Sequence, residues 1–188
     1  MPRLSRPELD LVALAATPQP DLDVPVVGAR LRPWDVGDAP AVRQVYADPA
    51  VRHWHCRTLD TDAEARELIE RWRSAWPGNR IEWAVVDADD DLLGRVAIKT
   101  TDPDGVADLG YWTVPRARGR GITPAAVEVA STWAFDVGYH RLQLAHSTQN
   151  SASCRAATKA GFHAEATLRE SVLHADGWHD MHQHARFA

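Results

Sequence analysis

The chain has 188 residues and a formal charge of −5, with 26 acidic residues against 21 lysines and arginines. That length suits one domain with a sizeable core, and the acidic balance disfavours a duplex nucleic-acid binder. Two cysteines, Cys56 and Cys154, exclude a disulfide-rich scaffold, and no apolar run approaches the roughly 20 residues of a membrane span, so a reduced cytoplasmic protein is expected.

Residues 1–25 read as an extension ahead of a domain over 26–188. The apolar stretch from Leu11 to Ala16 is short and preceded by Glu8 and Asp10, which argues against a secretory signal. Pro18, Pro20 and Pro25 mark an extended lead-in. Val26 to Pro33 reads as a first strand. Asp35 is an N-cap, followed by Ala39, Val42, Val45 and Tyr46 at helical spacing. A short segment from Ala50 to Arg57 carries His53-Trp54-His55-Cys56, whose alternation places His53 and His55 on one strand face. Thr61 and Glu64 form a capping box before a helix with the inner stripe Ala65, Leu68, Ile69, Trp72 and Trp76, ended by Pro77-Gly78-Asn79.

Strands from Ile81 to Val86 and from Leu92 to Thr100 flank an acidic turn, with Gly94 marking a bulge. A third strand runs from Ala107 to Val114. A helix from Ile122 to Val137 has the expected inner face Ile122, Ala126, Val129 and Trp133, and Gly138 stops it. Then come a strand from Arg141 to His146, a helix from Ser151 to Ala160, and strands from Phe162 to Arg169 and His179 to Phe187 around the turn Asp176-Gly177. A strand meander that later alternates with helices predicts a mixed α/β sheet in one domain.

Between the third strand and its helix lies Arg116-Ala117-Arg118-Gly119-Arg120-Gly121-Ile122-Thr123. Glycine lets backbone approach a ligand closely, and a helix start offers unpaired N–H groups with partial positive charge. Arginine adds forked donors for phosphate oxygens, so the segment is a candidate phosphate or pyrophosphate cradle. It has neither the lysine of a Walker loop nor a dinucleotide-binding glycine triplet. Downstream, Asn150-Ser151-Ala152-Ser153 opens an alanine-rich helix that ends in Lys159-Ala160-Gly161-Phe162.

These two segments, with Leu109-Gly110-Tyr111-Trp112, Leu31-Arg32-Pro33-Trp34 and Asp176-Gly177-Trp178-His179-Asp180, resemble the GNAT superfamily of acyl-CoA N-acyltransferases, and within it the RimJ/RimL-like branch of ribosomal-protein-alanine acetyltransferases. The resemblance covers residues 26–188. It implies an α/β fold with a central, mixed, largely antiparallel sheet whose fourth and fifth strands splay apart to admit the pantetheine arm of acetyl-CoA, the co-substrate. Those strands would be Ala107–Val114 and Arg141–His146. By resemblance, the backbone of Trp112 and Val114 would pair with pantetheine. The amides of Arg118, Gly119, Arg120, Gly121 and Ile122 would hold the pyrophosphate, with Arg116 completing the loop pattern and Thr123 adding a hydroxyl. Asn150 would hold pantetheine. Many family members carry a tyrosine where Ala157 stands here, as proton donor to the leaving thiolate. The branch uses the serine instead, so Ser153 is the candidate general acid, and Ala157 keeps a non-catalytic CoA-binding module in view.

The implied reaction is direct attack of a primary amine on the thioester in a ternary complex. A backbone N–H of Thr113 or Val114 would polarise the carbonyl, and Asp108, His146 and Glu170 are the candidate proton acceptors. The acceptor expected from the branch is a peptide or protein N-terminal α-amine, with a small-molecule amine (aminoglycoside, polyamine or amino acid) as runner-up. Trp34, Trp54 and Asp108, with Trp112, are candidates to line its pocket. No nucleic-acid or membrane partner is expected, and a homodimer stays open. The cysteines lack metal-ligand spacing, and Asp180, His182 and His184 repeat as the polar face of a terminal strand, so no metal is expected.

Overall fold

The computed structural model describes residues 9–10, 13–14, 16–76 and 78–188. Leu11, Val12 and Ala15 of the N-terminal apolar stretch, and Pro77 of the predicted turn, lie outside the described residues. An 8-stranded sheet runs in the order β1-β2-β3-β4-β5-β6-β8-β7. The strands are β1 Leu22–Val24, β2 Ala29–Pro33, β3 Arg80–Val86, β4 Leu92–Asp102, β5 Val106–Thr113, β6 Arg141–Ser147, β7 His163–His174 and β8 Gly177–Phe187. Every neighbouring pair is antiparallel except β5 and β6, which run parallel. The mixed, largely antiparallel sheet is therefore as expected.

Among the described residues, the helices packed around the sheet are α1 Ala39–Ala47, α2 Pro49–His55, α3 Asp62–Arg73, α4 Ile122–Asp136 and α5 Ser151–Lys159. The capping box is present, since Thr61 Oγ1 accepts from the Glu64 amide at 3.2 Å while Glu64 Oε2 accepts from the Thr61 amide at 2.9 Å. Strands β3 and β4 are buried almost end to end, which requires cover on both faces. Adjacent β3 residues show it. Trp83 meets Trp133 of α4 at 5.2 Å. Glu82, on the opposite face, binds Arg95, whose guanidinium lies 5.0 Å from the Trp72 ring of α3. The core thus has two layers, with α4 on one face and α3 on the other.

Helix α4 buries Ala125, Ala126, Val127, Ala130, Ser131 and Ala134 as well as Ile122, while Val129 and Trp133 are only half-buried. The true inner face is a strip of small residues, rotated from the predicted stripe, and it lets the helix lie close to the sheet.

Three boundaries differ from expectation for physical reasons. The sheet starts earlier than residue 26, because Leu22–Val24 pairs with Ala29–Leu31 and the lead-in is fastened by Trp83 Nε1 donating to Pro20 O at 2.9 Å. The His-Trp-His segment is helical, so His53 and His55 do not share a strand face. Asp48 caps that helix by accepting the Val51 amide at 3.1 Å, Pro49 occupies its first turn, and Cys56 closes it at φ 49. Strand β7 continues past Arg169 through a bulge at Glu170, φ 44, whose amide is taken by Asp180 Oδ1 at 2.8 Å.

Candidate active site

β5 and β6 pair only through Val106–Asp108 with Arg141–Gln143. Beyond that point β5 continues to Thr113 and β6 to Ser147 with no pairing between them. The gap opens into a cleft of about 550 Å³ whose walls include Tyr111, Thr113, His146, Ser153, Trp54 and the Gly119–Gly121 turn.

The direction of the free backbone follows from register. Val114 N–H donates to Leu93 O at 2.9 Å, and Arg95 lies opposite Trp112. Hydrogen bonding alternates along an antiparallel strand, so Trp112 and Val114 turn their backbone groups to β4. Tyr111 and Thr113 turn theirs to the gap. This corrects the expectation for Trp112 and Val114, since the Val114 amide is already paired. Of the Thr113 and Val114 amides, that of Thr113 is the one turned to the gap.

The loop after β5 has the geometry of an anion cradle. Gly119 and Gly121 hold φ 76 and φ 77, and a Cβ on either would meet no atom within 4 Å on the protein side. Only glycine adopts this backbone readily, and the space it leaves is open for a ligand against the α4 N-terminus. Ile122 is buried in the core and Thr123 is held by a hydroxyl–hydroxyl bond to Thr113. The arginines separate. Arg116 turns back to Leu92 O at 3.1 Å and Asp91 at 3.4 Å. Arg118 pairs with Asp48 at 2.5 Å, joining the loop to the α1–α2 junction, and its amide closes a turn on Pro115 O at 3.3 Å. Arg120 is exposed.

Across the gap, Asn150 Oδ1 caps α5 by accepting the Ser153 amide at 3.0 Å. Ser153 Oγ lies 2.8 Å from the Tyr111 hydroxyl, which also donates to Ser153 O at 3.0 Å. The Tyr111 hydroxyl then points its proton at the carbonyl and accepts from Ser153 Oγ. Burial pushes the Tyr111 phenol up to about 12, so it stays protonated. Ala157 is fully buried, and the phenol beside this helix comes instead from β5. In the sequence Tyr111 stands only within the Leu109–Trp112 segment; its pairing with Ser153 joins β5 to α5 and has no local signal.

His146 lines the cleft and is 5% exposed. Its Nδ1 donates to Ser147 O at 2.8 Å, which leaves Nε2 as the lone-pair nitrogen of the neutral ring, 3.1 Å from His184 Nε2. Burial holds the His146 pKa below the ordinary imidazole value, helped by nearby His184 and His182. A further chain of bonds runs from Ser147 Oγ to His179 Nδ1 at 2.8 Å and from His179 Nε2 to Asp176 Oδ1 at 3.0 Å. It ties the end of β6 to the β7–β8 turn.

The other candidates do not gather here. Asp108 lies in the closed part of the sheet, accepting from Gln143 Nε2 at 3.0 Å, and is not among the cleft walls. Glu170 sits on the exposed bulge of β7. Trp34 is 3% exposed and stacks on Trp72 at 4.7 Å, so it is core. Trp54 does line the cleft, beside His55 and His174, where α2 meets the end of β7.

The profile of the acetyltransferase (GNAT) domain matches residues 29–163. A protein of Bacillus subtilis (strain 168) named as a ribosomal N-acetyltransferase, YdaF, is 27% identical over 121 residues, which is 63% of this chain and 65% of that protein. The chain therefore matches a little under two thirds of that relative's length. Among solved structures, the Salmonella typhimurium acetyl transferase that modifies the N-terminal serine of ribosomal protein L7/L12 superposes with a TM-score of 0.80 at 18% identity, covering 90% of this chain and 99% of that one. The spermidine N-acetyltransferase of Vibrio cholerae, in complex with CoA and spermine, gives a TM-score of 0.75 at 17% identity, covering 85% and 95%. At such identities the structures speak for the fold alone. With the domain profile spanning most of its length and the splayed, glycine-cradled cleft in place, this chain belongs to the GNAT acetyltransferase family.

Proposed function

We propose that the protein transfers the acetyl group of acetyl-CoA to a primary amine, by direct attack in a ternary complex, and that the acceptor is a peptide or protein N-terminal α-amine. The observation that carries the reading is the parted β5–β6 pair leading to the Gly119–Gly121 turn. It joins a slot with unpaired backbone groups to a diphosphate cradle, the two ends of a CoA molecule. In this reading Tyr111 offers its strand-edge backbone groups and Thr113 its carbonyl to the pantetheine arm, Asn150 offers its NH₂, and the amides of Gly119, Arg120, Gly121 and Ile122 hold the diphosphate.

Three groups act on the reacting atoms. The Thr113 amide donates to the thioester oxygen as charge builds on it. The neutral His146–His184 imidazole pair takes up the proton that the amine loses, directly or through water. The Ser153 hydroxyl, held near the slot by Tyr111, turns from the phenol oxygen to the leaving sulfur and gives it its proton.

The acceptor follows from charge. The residues lining the cleft include no aspartate or glutamate among those described, so nothing there would draw in a polycation such as a polyamine or an aminoglycoside. An α-amine with a pKa of about 7.8 is roughly one-seventh neutral at pH 7, whereas a lysine amine near 10.4 is neutral about once in 2,500. A weakly basic imidazole suffices for the first and serves the second badly.

Release of free CoA with a panel of amines tests this. Peptides with a free N-terminus should turn over and spermidine should lag. Preference for spermidine over every peptide would shift the acceptor to small amines. Tight CoA binding with no turnover on any amine would make the protein a binding module. CoA affinity unchanged in Gly121→Val would remove the foundation of the reading.

A further inference from the structure

Behind Ser153 the fold assembles a second set of groups. His146 on β6 lies directly across from His182 on β8, and His184, two positions further along β8, shares that face. Cys154 comes from α5, the helix that packs over β6. One ligand atom from each of these four residues lies within 4.8 Å of all the others. His146 Nε2 and His184 Nε2 are 3.1 Å apart. Both rings are almost fully buried, and His182 and Cys154 are half-buried.

We propose that His146, Cys154, His182 and His184 form a tetrahedral site for a divalent transition metal of the zinc type. Three imidazoles and a thiol are a donor set for zinc or cobalt, and offer nothing to the hard cations magnesium and calcium, which take oxygen ligands. Zinc–nitrogen bonds of about 2.0–2.1 Å put two nitrogens of a tetrahedron a little over 3 Å apart, close to the His146–His184 separation. The Nδ1–H bond from His146 to Ser147 O is the outer contact that fixes the tautomer and turns the lone pair of Nε2 inward. On binding, the Cys154 thiol loses its proton to solvent and the metal–sulfur bond forms.

This goes against the absence of a metal expected from sequence. Along the chain the neighbouring candidates are Asp180, His182 and His184. In the fold, Asp180 serves the Glu170 amide, and the fourth group is Cys154 from another element. A bound metal would clamp α5 to β6 and β8 one residue from Ser153. It would also occupy the Nε2 lone pair of His146, so it would slow acetyl transfer. That last consequence rests on the catalytic reading of His146, whereas binding itself does not.

Cobalt titration of the metal-stripped protein is the test. One equivalent should give the visible absorption of tetrahedral cobalt together with an ultraviolet thiolate-to-cobalt charge-transfer band, both displaced by zinc. Cys154→Ala should abolish the charge-transfer band. His182→Gln should weaken binding by at least the roughly 10–100-fold that even outer contacts are worth. Absence of the charge-transfer band in the unsubstituted protein overturns the proposal, and that result needs no variant to fold. So does zinc affinity that neither substitution changes, which would place the ion at the other histidines. Because the readout is spectroscopic, failure here leaves the acetyl-transfer reading standing.

Discussion

The two sides of the splay bury different kinds of polar group. On the β1–β4 side, buried charge is fully matched: Glu82, 1% exposed, takes Arg95 through two bonds at 2.6 and 2.9 Å and binds Arg80 as well. On the β6–β8 side the buried polar residues are His146, Ser147, His174, His179 and His184, with His146 bonded to His184 and Ser147 to His179. An ion pair fixes one geometry and one charge state. A cluster of imidazoles can gain or lose a proton, or bind a metal, without rebuilding the fold. The first side is a platform and the second carries the adjustable chemistry, with the cleft along the seam.

The largest effect expected from this contrast is on stability. Arg95→Met leaves buried Glu82 with the partly exposed Arg80 as its remaining partner and should cost up to about 3–5 kcal/mol, whereas Glu82→Leu with Arg95→Met should recover most of it. Denaturant unfolding of both variants measures the difference. Equal losses in the two would mean that the pair's packing, not its charge, matters.

Next comes Ser153→Ala, which removes a group from the seam and not from either core. A general acid is worth about 10²–10⁴-fold, so kcat should fall by about a hundredfold or more while melting changes little. A kcat within about twofold of the parent at every pH would end the case for Ser153. Tyr111→Phe should give a smaller loss, because it leaves the serine in place and removes only its anchor.

What was legible in the sequence follows the same division. The capping box at Thr61, the β3–β4 hairpin and the glycine turn were readable because each is set by residues adjacent in the chain. Strand β1 was missed because Leu22–Val24 is a short strand among prolines, held by pairing that no local pattern announces. Helix α2 was misread because His-Trp-His alternation imitates a strand, while the deciding signal was Asp48-Pro49 just upstream. Trp34 was misplaced for another reason: sequence reports that a tryptophan will be covered, not by what. The Tyr111–Ser153 bond, the Ser147–His179–Asp176 chain and the four-ligand cluster all join distant segments, so only the fold could reveal them.

The imidazole side also makes a pH prediction. His146 and His184 have pKa values below the ordinary 6.5, burial being the main cause. Between those lowered values and 6.5 the unfolded chain binds more protons than the folded one. Stability must therefore rise with pH through that window and level off above it. Acidifying below about pH 6.5 should remove up to about 1.4 kcal/mol per pH unit for each ring. Melting in chelator from about pH 5.5 to 7.5 should show the slope, and His146→Gln should reduce it. A slope that His146→Gln leaves intact would assign the effect to other groups.

The smallest effect belongs to the ion pair that bridges the loop and the acceptor wall. Arg118 holds the Asp48 carboxyl below the usual carboxylate range, chiefly through its hydrogen bond. Such a pair contributes at neutral pH and is lost only as Asp48 protonates in strong acid. Arg118 is 40% exposed, so solvent screens the pair and Arg118→Ala should cost well under about 1 kcal/mol of stability. Its consequence for binding need not be so small. Asp48 also caps α2, the helix that carries Trp54, so Arg118 connects the Gly119–Gly121 turn to another wall of the cleft. Arg118→Ala should therefore raise the KM for the peptide as well as that for acetyl-CoA, with kcat little changed. A rise confined to acetyl-CoA would mean that Arg118 serves the phosphates alone and that the two walls of the cleft act independently.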